Sequence, residues 1–126
     1  MSSRVRHITF DTHDPYTLGS FWAQVVGGRL QDDDKPGDPG ALVTNDDGSA
    51  LLFIQNPDDK QLKNRVHIDL QPRERSRDEE VEWLLTIGAT IYDDQRRPDG
   101  TGWVVMHDPE GNEFCVERSA AERGDS

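Results

Sequence analysis

The sequence predicts an α+β fold assembled from one strand–helix–strand–strand–strand unit used twice. A strand-like run holding His7 leads to a helix-like run that carries Trp22 and ends at Gly27; the same order returns with His67, Trp83 and Gly88, about 60 residues later. Asp32-Asp33 likewise returns as Asp93-Asp94. At 126 residues the chain suffices for one core and not for two independent ones, so neither half is expected to stand alone. Two copies of one unit imply pseudo-symmetry in which equivalent strands face each other, bringing the repeated histidines toward one site.

In the first copy, alternation from Val5 to Asp11 places Ile8 and Phe10 inward and His7, Thr9 and Asp11 on the other face. Asp14-Pro15 supplies a capping side chain and a first-turn proline, and Leu18, Phe21, Trp22, Val25 and Val26 recur at helical spacing. Gly27-Gly28 ends that helix. Residues 29–33 and 41–44 read as short strands around a proline- and glycine-rich loop, and Asn45 to Gly48 as a hairpin turn into the strand 50–55. In the second copy, Val66 to Leu70 is a strand with Val66, Ile68 and Leu70 inward. Residues 76–87 form a helix and 90–92 a strand. Turns at Asp99-Gly100 and at Asp108 to Gly111 then lead into strands 102–106 and 113–117.

Asp and Glu number 25 against 14 Lys and Arg, a formal charge of −11, which opposes phosphate backbones and anionic membrane surfaces and points to a neutral or cationic small molecule. Mean hydropathy is low at −0.83, yet the apolar residues sit in periodic runs, so a folded chain with a heavily charged surface is expected. The single cysteine, Cys115, excludes an intrachain disulfide and fits a reducing compartment. Met1 to Arg4 lacks the apolar stretch of a signal peptide, and no run approaches membrane-spanning length. The expectation is a cytoplasmic protein with no membrane or nucleic-acid partner.

His7, Asp14-Pro15, Phe21-Trp22, Gly27, Lys63 to Leu70 and Asp108-Pro109-Glu110-Gly111-Asn112-Glu113-Phe114 occur in this order. Together they resemble a glyoxalase-like protein of the vicinal oxygen chelate (glyoxalase/bleomycin resistance/dioxygenase) superfamily. The resemblance covers residues 4–118. It implies a single domain of paired βαβββ modules, about 4–56 and 64–118, forming a curved mixed sheet around a cavity, with 119–126 a flexible tail. It also implies a homodimer.

Metal-using members of that superfamily take a His or Gln from the first strand, a His from the first strand of the second module, and a Glu from its last strand. His7 and His67 match the first two positions. The third falls on Cys115, and the repeat-related fourth on Leu52, so the usual Glu is absent. Alternation puts His67 and Asp69 on one face, with Glu113, Cys115 and Glu117 likewise together. A His7–His67–Cys115 set with an open fourth place suits one divalent metal ion such as zinc. In the plainer reading the histidines are neutral pocket groups, Cys115 is a small apolar filler and no cofactor is present.

His7, His67 and Cys115 are therefore the candidate catalytic residues. Asp69, Trp103 and Glu113 are candidates for the substrate pocket, with Trp103 as an aromatic wall. Lys60, Lys63, Asn64 and Arg65 offer a clamp for a ligand's anionic group or a solvated linker face. Trp22 and Trp83, equivalent under the repeat, are assigned to packing. Two function classes result. One is a glyoxalase-like isomerase, lyase or transferase acting on a small oxygenated metabolite between the modules. The other is a metal-free binding protein for a small molecule or antibiotic, of the bleomycin-resistance kind.

Overall fold

Each copy of the repeat builds its own four-stranded mixed sheet in the computed structural model, which describes residues 1–124. The chain divides into two units, Met1–Asp59 and Lys60–Ser126.

The first unit runs β1 (Ile8–Thr12), α1 (Pro15–Val26), β2 (Arg29–Leu30), β3 (Gly40–Thr44) and β4 (Ala50–Gln55). Its strand order is β1-β4-β3-β2. The helix α1 carries the chain away from β1 before the other strands form, so β1 lies parallel to β4, whereas the shorter connections leave β2, β3 and β4 antiparallel. Asp14 caps α1 by accepting from the Thr17 N–H at 3.2 Å, and Gly27, at φ 68°, closes it in the left-handed conformation. Leu18, Phe21 and Trp22 are buried on this helix, with Ala41, Val43, Leu51 and Phe53 buried on the sheet. The Phe10 ring lies 4.9 Å from Phe53 and 5.4 Å from Trp22. Each large side chain buried here contributes about 1.5–3 kcal/mol. Ile8, expected inward, is half-exposed, because β1 is an edge strand paired only to β4.

The second unit runs β5 (Ile68–Leu70), α2 (Arg77–Thr86), β6 (Thr90–Asp94), β7 (Val104–His107), β8 (Glu113–Val116) and α3 (Ala120–Arg123). Its order, β5-β8-β7-β6, with β5 parallel to β8, repeats that of the first. Ser76 and Glu79 form a reciprocal capping box at the start of α2. The face that α2 covers is apolar: Val81 and Leu84 on the helix and Val104, Met106, Phe114 and Val116 on the strands are all buried.

Four expectations change here. β5 begins at Ile68, and Val66, expected inward, is 81% exposed. The two repeat-related tryptophans differ: Trp22 is core, whereas Trp83 is half-buried under the Arg75 guanidinium, 4.5 Å from its ring centroid. The stretch from Asn56 to Lys63, expected to link the modules, is divided, with Lys60 already bound into the second unit. The tail carries a helical turn, α3, because Ser119 and Glu122 form a second capping box and Glu122 also accepts from the Arg77 N–H. Residues 125–126 of that tail lie outside the described residues.

Candidate functional site

Alternation on three neighbouring strands decides what the second sheet presents opposite its apolar face. Asp69 pairs with Cys115 across β5 and β8, and Cys115 pairs with Val105 across β8 and β7. His67, Asp69, Glu113, Cys115 and Val105 therefore share one face, while Phe114, Val116, Val104 and Met106 take the other. That face opens into a pocket of about 580 Å³, lined by His67, Asp69, Trp103, Glu113 and Cys115. All the residues expected at the site from the second half of the chain are thus brought together. His7 lies in the first unit, half-buried and immediately before β1.

Asp69 joins the other two members of the floor. Its Oδ1 lies 3.2 Å from His67 Nε2. Cys115 is 8% exposed. Burial first, then the charge of Asp69 and a hydrogen bond to it, push the thiol up to about 11, with Lys63 pulling weakly the other way. At neutral pH the cysteine is a thiol that donates to Asp69, which argues against Cys115 as an unaided nucleophile.

Glu113 lines the pocket and also anchors the segment before β5. Its Oε1 accepts from Lys60 Nζ at 2.9 Å and from the Asn64 N–H at 2.9 Å. Burial alone raises the carboxyl, but the ammonium and the amide outweigh it and hold it below its ordinary value. Asn64 also bonds the Asn112 side chain, so the segment 60–64 is tied to the start of β8 and presents Lys63 to the pocket. Of the four residues read as a clamp, Lys60 and Asn64 are structural and Lys63 faces the pocket. Arg65 is exposed.

Trp103 stands just before β7 and is 38% exposed. Arg97 lies over its ring at 5.7 Å. Both belong to the 95–103 hairpin, which Arg77 holds from below. The Arg77 guanidinium donates to the carbonyls of Gly100, Thr101 and Gly102 at 3.2, 3.0 and 3.0 Å. Gly102, at φ 95°, packs directly on the Gln95 carbonyl, where no side chain fits. Arg97 and Arg118 also line the pocket, and periodicity did not point to either. Arg97 sits in an aperiodic turn, and Arg118 lies just beyond β8.

The donor chemistry of the floor fits a metal. One nitrogen, oxygen or sulfur from each of His67, Asp69 and Cys115 lies within 4.8 Å of the others, within reach of one ion after side-chain rotation. Imidazole, carboxylate and thiolate with an open place suit zinc, and a bound cation would displace the thiol proton that burial now retains. The set suits manganese less well, since that ion prefers all-oxygen or nitrogen and oxygen surroundings.

A sequence model of the glyoxalase-like domain matches residues 7–117. No curated protein matches significantly. Among solved structures, a mutant of the fosfomycin resistance protein FosX from Listeria monocytogenes, complexed with Mn(II) and 1S,2S-dihydroxypropylphosphonic acid, superposes with a TM-score of 0.71 at 19% identity, covering 98% of this chain and 95% of that one. A possible glyoxalase from Bacillus cereus gives 0.65 at 17% identity over 92% and 99% of the two chains. A glyoxalase/bleomycin resistance protein/dioxygenase family enzyme from Burkholderia phytofirmans PsJN gives 0.65 at 18% over 88% and 94%. At these identities the structural likeness speaks for the fold. The twice-used βαβββ unit, the ordered motifs and a match spanning nearly every strand converge on one assignment: this chain is a member of the glyoxalase-like domain family.

Proposed function

We propose that the second unit carries a small-molecule site of the glyoxalase-like kind, in which His67, Asp69 and Cys115 hold a thiophilic divalent cation and the protein acts as an isomerase, lyase or transferase on an oxygenated metabolite. The observation that supports it is the meeting of three donor atoms within 4.8 Å on the wall of an open pocket. When bound, such an ion supplies Lewis-acid polarisation of a ligand oxygen. The chain's own residues do the rest. Trp103 offers a flat wall, Lys63 is held at the rim by the tie between segment 60–64 and Glu113, and Asp69 accepts a proton-bearing group now supplied by Cys115.

A second reading, a metal-free binding protein, is favoured by one specific observation. His67, Asp69 and the protonated Cys115 already satisfy one another.

Zinc titration of chelator-treated protein decides between them. Uptake of one ion per chain with proton release, abolished in both His67→Ala and Cys115→Ser, supports the metal centre. Absence of uptake retires it and leaves the binder. His7→Ala in the same titration reports whether the first unit supplies a donor.

A further inference from the structure

The net charge of −11 argues for a cationic or neutral ligand, but the pocket wall has the opposite bias. Each carboxylate on it already has a partner: Asp69 has His67 at 3.2 Å, Glu113 has Lys60 at 2.9 Å and Glu117 has Arg123 at 3.3 Å. The cations are not so matched. Lys63, Arg97 and Arg118 line the same pocket, and among the described residues none of the three has a carboxylate within ion-pair distance. Three cations without an ion pair converge on one concavity, Arg97 having a carboxylate, Asp99, near enough to feel its charge; in a chain with nearly twice as many acids as bases, they bias this wall toward the positive. One of them, Arg97, lies over Trp103, so charge and flat apolar surface are adjacent.

We infer that the ligand of this pocket is a small organic anion, a carboxylate or phosphonate with a planar or apolar body, whose anionic group is received by Lys63, Arg97 and Arg118 and whose body lies against Trp103. The inference rests on the small-molecule reading of this pocket and names the class of molecule it takes. Guanidinium groups match such oxyanions in a two-pronged geometry, while Lys63 adds a mobile point charge. The remaining acids of the chain lie outside this wall; they discourage polyanions and membranes by long-range repulsion that salt screens, while the pocket acts at contact distance.

The test is calorimetric titration with four probes of similar body: benzoate, phenylphosphonate, benzyl alcohol and benzylamine, each with and without equimolar zinc. Benzoate or phenylphosphonate should bind, the stronger of the two identifying the anionic group, and benzylamine should not. The double variant Lys63→Gln/Arg118→Gln should weaken anion binding about tenfold or more, and Arg97→Gln alone should weaken it as well. Glu117→Gln, which removes a carboxylate from the same wall, should tighten it. All replaced side chains lie at the surface of the pocket, and circular dichroism verifies the fold. Benzylamine binding as tightly as benzoate, anion affinity unchanged in the folded double variant, or no binding by any probe would each overturn the inference. Anion binding without zinc uptake supports it while overturning the metal centre, so the two readings fail separately.

Discussion

Lys60 Nζ sits 2.9 Å from Glu113 Oε1, and this ion pair ties the segment that opens the second unit to the first residue of β8. The glutamate is nearly inaccessible and its other oxygen, Oε2, has no hydrogen-bond partner among the described residues. Removing the lysine therefore strands a buried charge. Lys60→Met should lower unfolding stability by about 1–3 kcal/mol, and Lys60→Met combined with Glu113→Gln should recover part of that loss. Urea melts of the single and double variants make this a double-mutant cycle; strictly additive losses would contradict the pairing.

Arg77 is 4% exposed although it is charged, because its guanidinium serves three successive carbonyls of the 95–103 hairpin. Those carbonyls share the two hydrogens of Nη1 while Nε donates to Asp78, and the single ammonium of a lysine cannot reach both places. Arg77→Lys is expected to destabilise the protein by about 2–3 kcal/mol and to open the hairpin to limited proteolysis between Gln95 and Trp103. Cleavage no faster than in wild type would show that the carbonyl contacts do not hold the loop.

Arg96 grips Asp94 with Nη2 at 2.7 Å from Oδ2, and its hydrogen bonds hold the Asp94 carboxyl down at about 2. The folded value lies below the unfolded one of about 3.9, so this contact stabilises the fold above pH 4 and is lost as pH falls from 4 toward 2. Asp94 is partly exposed, and salt will screen the effect. Arg96→Gln should lower the urea midpoint at pH 6, and the gap to wild type should close near pH 2. A gap of constant size across that range would rule out the ion pair as its source.

The Cys115 thiol, raised to about 11 by burial and by Asp69, should react with a disulfide reagent at pH 8 on the order of a hundredfold more slowly in the native, chelator-treated protein than in urea. Asp69→Asn should speed the native reaction. Equal native rates in the two proteins would mean that Asp69 does not govern the thiol.

Much of the fold was legible, for local reasons. Asp14-Pro15 and Gly27 each mark a helix end by chemistry confined to a few residues. The alternation that placed His67 and Asp69 together, and Glu113, Cys115 and Glu117 together, is a property of single strands. Symmetry misled. The likeness of Trp22 to Trp83 suggested equal packing, but α1 presents a broad apolar stripe, whereas α2 begins Arg-Asp-Glu-Glu and buries only Val81 and Leu84 as apolar residues. Val66 kept the strand period yet fell outside β5, just after a segment whose Lys60 and Asn64 bond Glu113 instead of pairing in the sheet. The capping box Ser119-Ala-Ala-Glu122 was present in the sequence, but one turn of helix is too short for periodicity to reveal.

The amino-acid sequence by itself determined the repeated unit, the family, the order of strands and helices, and the face on which His67, Asp69 and Cys115 would lie. The family stems from the resemblance of its ordered motifs, and the rest from periods of two and 3.6 residues and from caps that act within a turn. Only the tertiary structure decided which charges meet. The register of β5 against β8 sets Asp69 beside Cys115, and contacts spanning some fifty residues give Glu113 its lysine, while Lys63, Arg97 and Arg118 have no carboxylate within ion-pair distance among the described residues. Composition records how many charges a chain carries. Their pairing is set by distances of a few ångströms between segments that share no local period, and here it lines one pocket with cations that the net charge alone does not suggest.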